Sequence, residues 1–273
     1  MRVDAELVRR LLDSQHPGYA GEDVVLVDEG WDNFTFRVGS EHAVRLPRHS
    51  AAVPLILNEQ RWLPLVDSWL DLAVPAPVAI GEGGDLFPWP WSVVQWIPGT
   101  TAECTVFSPD QAEVVATSLR ALHRLAPLDA PANPFRGVRL QARRDVVQER
   151  IERLALPELV VPFRRALEAP PSEEVVWLHG DLHPRNVIVR ERAVIGLIDW
   201  GDIAAGDAAT DLACGWMLFD SEGRDAFIAA YDPSPAELAR AVGWAVNFGS
   251  AMLDSEEPRH VAIGRTIIEQ LGV

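Results

Sequence analysis

The sequence predicts an α+β protein of two lobes, and three observations carry that prediction. The first 97 residues alternate short β-branched or aromatic runs with turn-formers, whereas from Pro98 onward apolar residues recur mainly at helical spacing. The change falls at WIPGT, residues 96–100, and no internal repeat or low-complexity tract interrupts either part. Strands first and helices after, without steady alternation, is the α+β order.

Each element follows from local pattern. Residues 4–15 place Leu7, Val8, Leu11 and Leu12 on one helical stripe. Residues 23–28, 34–38 and 42–46 are strand-like and are separated by GWDN and GSE, so they form an antiparallel meander. Residues 52–66 read as a helix entered by Pro54, with Pro64 expected to end or distort its last turn. Pro75, Pro77, the glycines at 81, 83 and 84, and LFPWPWSVVQWI indicate two further strands around a turn. Beyond the break, Ser108 with Gln111 three residues on marks the start of a helix over 109–126, and helices follow over 139–155 and 157–169. A β island at 175–199 precedes helices over 207–219, 222–230, 235–253 and 258–271. In the helix over 235–253, Ser234, Pro235 and Glu237 supply N-cap, first-turn proline and capping-box acid in order.

Composition narrows the chemistry. Forty acidic residues against 24 basic ones give a net charge of -16, the wrong sign for tracking a phosphate backbone, so no nucleic-acid partner is expected. All 24 basic residues are arginine, which excludes a Schiff-base lysine and the P-loop lysine. Cys104 and Cys214 lack the spacing of a zinc site or a disulfide framework and are expected to be buried thiols. No apolar run approaches bilayer length, and the first 15 residues read as an amphipathic helix, so no membrane partner and a cytoplasmic location are expected.

The stretch 175–213, VVWLHGDLHPRNVIVRERAVIGLIDWGDIAAGDAATDLA, carries the chemistry. Residues 187–190 and 194–198 are strand-like around a three-residue connection. A symmetric hairpin of that kind sets Asn186 opposite Asp199. A carboxylate and an amide oxygen, completed by water and phosphate oxygens, is a Mg²⁺ ligand set. Asp181, five residues before Asn186, can reach the same space and accept a hydroxyl proton.

HGDLHPRN followed by IDW and GDAATDLA resembles the aminoglycoside phosphotransferase family, which has a protein-kinase-like fold. The resemblance implies a small β-rich N-lobe over 1–97 that binds nucleotide, and a larger, mostly helical C-lobe over 98–273 for catalysis and substrate. It implies Asp181 as catalytic base, His179 as a residue bracing the loop, and Asn186 and Asp199 as Mg²⁺ ligands. Asp207 and Asp211 match the GDxxxDLA segment, where capping and loop-anchoring are expected. In the N-lobe, EGWDNFTFRVG, with Asn33, stands where the family covers its nucleotide. Arg45 in HAVRLPR replaces the family's strand lysine, and Glu59 in LNEQRWL is its expected partner. The backbone of Gln95 and Ile97 is the expected adenine hinge.

The implied co-substrate is ATP or GTP, and the implied partner is a small-molecule hydroxyl acceptor. A cationic amino sugar ranks first, on the charge of -16 and the acids Asp220, Glu222, Asp254, Glu256 and Glu257. A macrolide is the alternative, on Trp216, Met217, Phe219, Trp244, Phe248 and Met252, although their spacing favours core. A non-catalytic nucleotide-binding pseudokinase is a further alternative, encouraged only by Arg45. A protein kinase is disfavoured, because seven residues between Asp199 and Asp207 leave no peptide-seating segment. Lone residues such as His123 and His183 read as turn or cap residues.

Overall fold

A computed structural model describes residues 2–105 and 107–272. The chain divides into two compact units, Met1–Pro98 with Gly196–Gly201, and Gly99–Ile195 with Asp202–Val273.

In the first unit the meander and the Pro/Gly-rich segment make one antiparallel sheet. Its strands are β1 (Val24–Glu29), β2 (Asn33–Val38), β3 (His42–Pro47), β4 (Pro77–Gly81) and β5 (Trp91–Gln95), in the order β1-β2-β3-β5-β4. The apolar stripe of α1 (Ala5–Gln15) is buried with Phe36, Val38, Val44, Leu46, Phe87, Trp91 and Val93, which closes one face of the sheet. Asp4 caps α1 by accepting from Leu7 N–H at 3.0 Å. The helix α2 (Val53–Asp67) runs three residues past Pro64. The expected end at Pro64 is therefore corrected, because Leu63 and Val66 are buried and hold the last turn in place. The same face of α2 buries a carboxylate, Glu59.

Register places the cation. Arg45 on β3 lies opposite Thr35 on β2 and Ser92 on β5, the central position of the sheet, where both neighbouring strands are paired. The segment 196–201 joins this unit through a parallel bridge between Ala73 and Gly196, with Leu197 N–H donating to Ala73 O at 3.0 Å.

The second unit is mostly helical. After β6 (Thr100–Thr101) come α3 (Pro109–Leu122), α4 (Arg144–Arg153) and α5 (Val160–Glu168). Leu140–Arg143 and Pro157–Leu159 are 3₁₀ turns where the sequence suggested continuous helix. Ser108 does not cap α3 with its side chain; instead Gln111 turns its amide oxygen to the Val194 N–H at 2.8 Å. The strands β7 (Val176–Leu178), β8 (Val187–Arg190), β9 (Ala193–Leu197) and β10 (Ala204–Gly206) follow, β7 pairing antiparallel with β10 and β8 lying between β6 and β9. Glu191 and Arg192 alone connect β8 to β9, both at positive φ (53° and 69°), as a two-residue primed turn requires. Ala193 thus already belongs to β9, and the three-residue connection from which Asn186 was set opposite Asp199 is corrected.

The expected helix over 207–219 is two short ones, α6 (Ala209–Leu212) and α7 (Gly215–Leu218), before α8 (Ser221–Tyr231), α9 (Pro235–Leu253) and α10 (Pro258–Gln270). The capping box of Ser234 and Glu237 forms as the sequence predicts. Trp244, Phe248 and Met252 on α9 are buried, and so are Trp216, Met217 and Phe219, so that whole set is core. Cys214 is buried but Cys104 is exposed, which corrects the expectation for that thiol.

The pairing of β7 with β10 leads into the loop at 179–186 and leaves no room for a side chain at position 206. A Cβ on Gly206 would stand 2.6 Å from Leu178 Cδ1 and 2.8 Å from Gly137 Cα. Gly206→Ala is expected to destabilise the protein by about 1–3 kcal/mol through overpacking, measured by urea unfolding.

Candidate active site

The loop after β7 is built on one buried carboxylate. Asp211, on α6, accepts the His179 N–H at 2.7 Å through Oδ2 and the Gly180 N–H at 2.8 Å through Oδ1. Gly180 has φ +86°, and a Cβ there would meet the Asp202 carbonyl at 2.6 Å, so only glycine fits. His179, fully buried, accepts the Asp181 N–H on Nδ1 at 3.3 Å and braces the loop. Asp211 is held in turn: His123 Nε2 lies 3.3 Å from its Oδ2, and His123 Nδ1 lies 2.8 Å from the Tyr231 hydroxyl. A carboxylate only accepts, so Nε2 carries the proton and Tyr231 donates to Nδ1. His123 is thus more than a turn residue. Its sequence signal was weak because its two partners are 88 and 108 residues away.

Asp181 projects from this fixed backbone. Its Oδ1 accepts from Arg136 Nη2 at 2.9 Å, and His183 Nε2 is 3.4 Å from its Oδ2. Burial would raise this carboxyl, but Arg136 and His183 outweigh it and hold the group well below the usual carboxylate range. Asn186 donates its amide to the Asp181 carbonyl at 2.8 Å, leaving its side-chain oxygen as the hard donor. Asp207 forms a two-point pair with Arg240, at 2.5 and 3.1 Å, and accepts from Ala209 N–H at 3.1 Å. Asp207 and Asp211 therefore anchor and cap, as expected.

In the first unit, Arg45, Glu59, Asn33 and Asp199 meet. Arg45 Nη2 lies 3.0 Å from Glu59 Oε1 and 3.1 Å from Asp199 Oδ1. With its amide turned to satisfy both neighbours, Asn33 accepts from the same Nη2 at 3.0 Å and donates to the Asp32 carbonyl at 3.3 Å. Arg45 Nε is buried with no partner. Burial opposes the charge on Arg45, but Glu59 and Asp199 outweigh it and push its pKa up. Asp199 sits at φ +60°, a strained angle for an aspartate, with its side chain about half exposed (55%). Arg48 bonds Gly30 O and Glu29 instead and takes no part. Gln95 donates its N–H to Ala76 O at 3.4 Å, and Ile97 is buried at the end of this unit's main stretch.

Among the acids offered for a cationic acceptor, Asp220 and Glu257 cap α8 and α10, and Asp254 is paired with Arg153. Helix ends claim them first. Among the described residues no cluster of three or more His, Cys, Asp or Glu is placed to hold a metal, and no helix is long and apolar enough to cross a membrane.

Comparison with known proteins shows the family and the fold. The model of the phosphotransferase enzyme family (APH) matches residues 23–242, so the chain belongs to that family and is a phosphotransferase with an alcohol group as acceptor. It is 31% identical over 202 residues to viomycin phosphotransferase of Streptomyces vinaceus, covering 64% of this chain and 67% of that one. It is 29% identical over 157 residues to an aminoglycoside 3'-phosphotransferase of Streptomyces fradiae, covering 51% and 57%. The fold matches that of APH(2")-IIIa, solved with GDP and kanamycin, at a TM-score of 0.72 with 18% identity over 97% of this chain and 98% of that one. It also matches macrolide 2'-phosphotransferase MphH of Brachybacterium faecium at 0.64 with 18% identity over 97% of each. The kinase-like α+β fold is therefore established.

Burial lifts the Glu59 carboxyl from its ordinary 4.5 to about 7, outweighing the attraction of Arg45. The folded state then holds a proton that the unfolded chain releases. The contribution of Glu59 to stability is lost as pH rises from about 4.5 to about 7, so Glu59→Gln is expected to show a flatter dependence on pH there than the parent protein; urea unfolding of both proteins across this range is the check.

Proposed function

We propose that this enzyme transfers the γ-phosphoryl of ATP or GTP to a hydroxyl of a small, aminoglycoside-like acceptor, with Asp181 as the base. The observation that carries the reading is the Asp181 carboxylate itself, set on a backbone that Asp211 and His179 fix. A positioned carboxylate orients the acceptor hydroxyl and takes its proton as the O–P bond forms. Arg45, oriented by Glu59, is assigned to the nucleotide phosphates, with Asn33 in the covering turn and the backbone of Gln95 and Ile97 against the base. The resemblance supplies those roles. The N-lobe over 1–97 is assigned to nucleotide and the C-lobe over 98–273 to catalysis and acceptor.

Asn186 and Asp199 are proposed as Mg²⁺ ligands on the motif they match. The donor chemistry fits, since both offer hard oxygens. When bound, Mg²⁺ would neutralise the phosphates.

A cationic amino sugar stays ahead of a macrolide. The apolar set that a macrolide would need is packed into the core, while the charge of -16 favours a cation. The name of the Streptomyces fradiae relative points the same way. The pseudokinase reading has Arg45 in its favour and Asp181, Asn186 and Asp199 against it. ADP or GDP formation against a panel of aminoglycosides, viomycin and macrolides tests the whole reading. Turnover with no member of the panel would overturn it.

Asp181→Asn is expected to lower kcat by roughly 10²-fold or more while nucleotide affinity stays within a few-fold, read by steady-state kinetics and nucleotide titration. With a cationic acceptor, KM is expected to rise steeply between low and physiological salt, as screening of exposed charge requires. A KM independent of salt would favour the uncharged macrolide.

A further inference from the structure

We propose that Arg136 is a catalytic residue that receives the phosphoryl group as it lands on the acceptor oxygen. This rests on Asp181 being the base, and the test below separates the two. Arg136 lies in the loop between α3 and α4, 45 residues from Asp181 in sequence, and no motif marks it. Five contacts fix it. Its Nη2 donates to Asp181 Oδ1 at 2.9 Å and its Nε lies 3.9 Å from Asp202 Oδ2. Its guanidinium lies 4.8 Å from the centroid of the buried Phe248 ring. Its backbone N–H donates to Asn133 Oδ1 at 3.0 Å and its carbonyl accepts from Thr210 Oγ1 at 3.1 Å. A quarter of the side chain remains exposed (25%), so Arg136 is fixed without being sealed from solvent.

The charges change places during transfer. The acceptor O–H bond breaks and its proton passes to Asp181, while the acceptor oxygen bonds phosphorus. The bond from phosphorus to the bridging oxygen breaks, and its electron pair leaves with the nucleoside diphosphate. Asp181 thereby loses its negative charge, and Arg136 loses one counter-charge. At that moment a phosphate ester forms on the oxygen that Asp181 had been holding. An oxygen within about 3 Å of Asp181 carries its new phosphoryl oxygens into hydrogen-bond reach of a guanidinium that already touches the same carboxylate. The planar fork of arginine suits two of them at once, and this chain has no lysine that could stand in. The Phe248 ring excludes water from one face of the guanidinium and strengthens the contact.

A purely structural Arg136, one that only neutralises two acids, would not distinguish phosphate from other ligands. The full chain is assayed with kanamycin as acceptor and, in parallel, with water as acceptor, read as nucleotide hydrolysis. Inorganic phosphate serves as the product probe. Arg136→Gln is expected to lower kcat by roughly 10²-fold with nucleotide KM within about threefold, and to weaken inhibition by inorganic phosphate by about tenfold or more. Arg136→Lys is expected to restore about a tenth of wild-type kcat, since the charge returns without the fork. Wild-type kcat and phosphate inhibition in Arg136→Gln, beside an inactive Asp181→Asn, overturn the role of Arg136 and leave the base in place. Full activity in both variants overturns both. Should Arg136→Gln fail to fold, Arg136→Lys decides, and wild-type kcat with unchanged phosphate inhibition in that variant overturns the proposal.

Discussion

The buried carboxylate of Asp211 is the constraint on which the site depends. It accepts two successive backbone amides, His179 and Gly180, inside the unit. Those two bonds hold the chain in the turn from which Asp181 projects, and the left-handed Gly180 completes it. A carboxylate with paired backbone donors is a strong, charge-assisted anchor, and His123 with Tyr231 supports its far side. Because the C-cap of α3 and the last residue of α8 supply His123 and Tyr231, the helical packing of the second unit and the geometry of the loop are one structural decision. An unpaired Asp211 in that position would be a buried charge without compensation, so its partners are fixed as firmly as it is.

An all-arginine chain shapes the electrostatics on both units. Arg45, Arg136 and Arg240 each meet at least one aspartate or glutamate through their guanidinium groups, and each is buried or partly buried. Arginine does this better than lysine because its charge is delocalised and its donors are arranged as a fork. Arg45 fits between Glu59 and Asp199 in this way, at the centre of a sheet where its neighbours on β2 and β5 exclude water. Arg45 is therefore a paired, oriented cation.

The helix ends of the second unit show how capping competes with recognition. Asp220 and Glu257 accept backbone amides at helix starts, where the first turn has donors to satisfy. Asp254 is tied to Arg153. A net charge of -16 still sets the long-range field, but these particular side chains serve the fold. The fold alone does not select the acceptor.

Local pattern determined much of this protein. Apolar period, turn residues and capping signals place the meander, α1 and the capped α9, and the spacing HGDxxxxN, IDW and GDxxxDLA identifies the phosphotransferase family before any coordinate is known. These features lie within a few residues of one another, so the sequence writes them out directly. Tertiary structure decided what joins distant segments. Arg136 reaches Asp181 across 45 residues, His123 reaches Asp211 across 88, and Arg45 reaches Asp199 across 154. It also decided that residues 196–201 join the sheet unit, that the helix holding Pro64 runs on to Asp67 and that the β8–β9 turn has two residues. Each of these outcomes depends on packing and on the pairing of buried charges, which are sums over contacts that no local window of sequence contains.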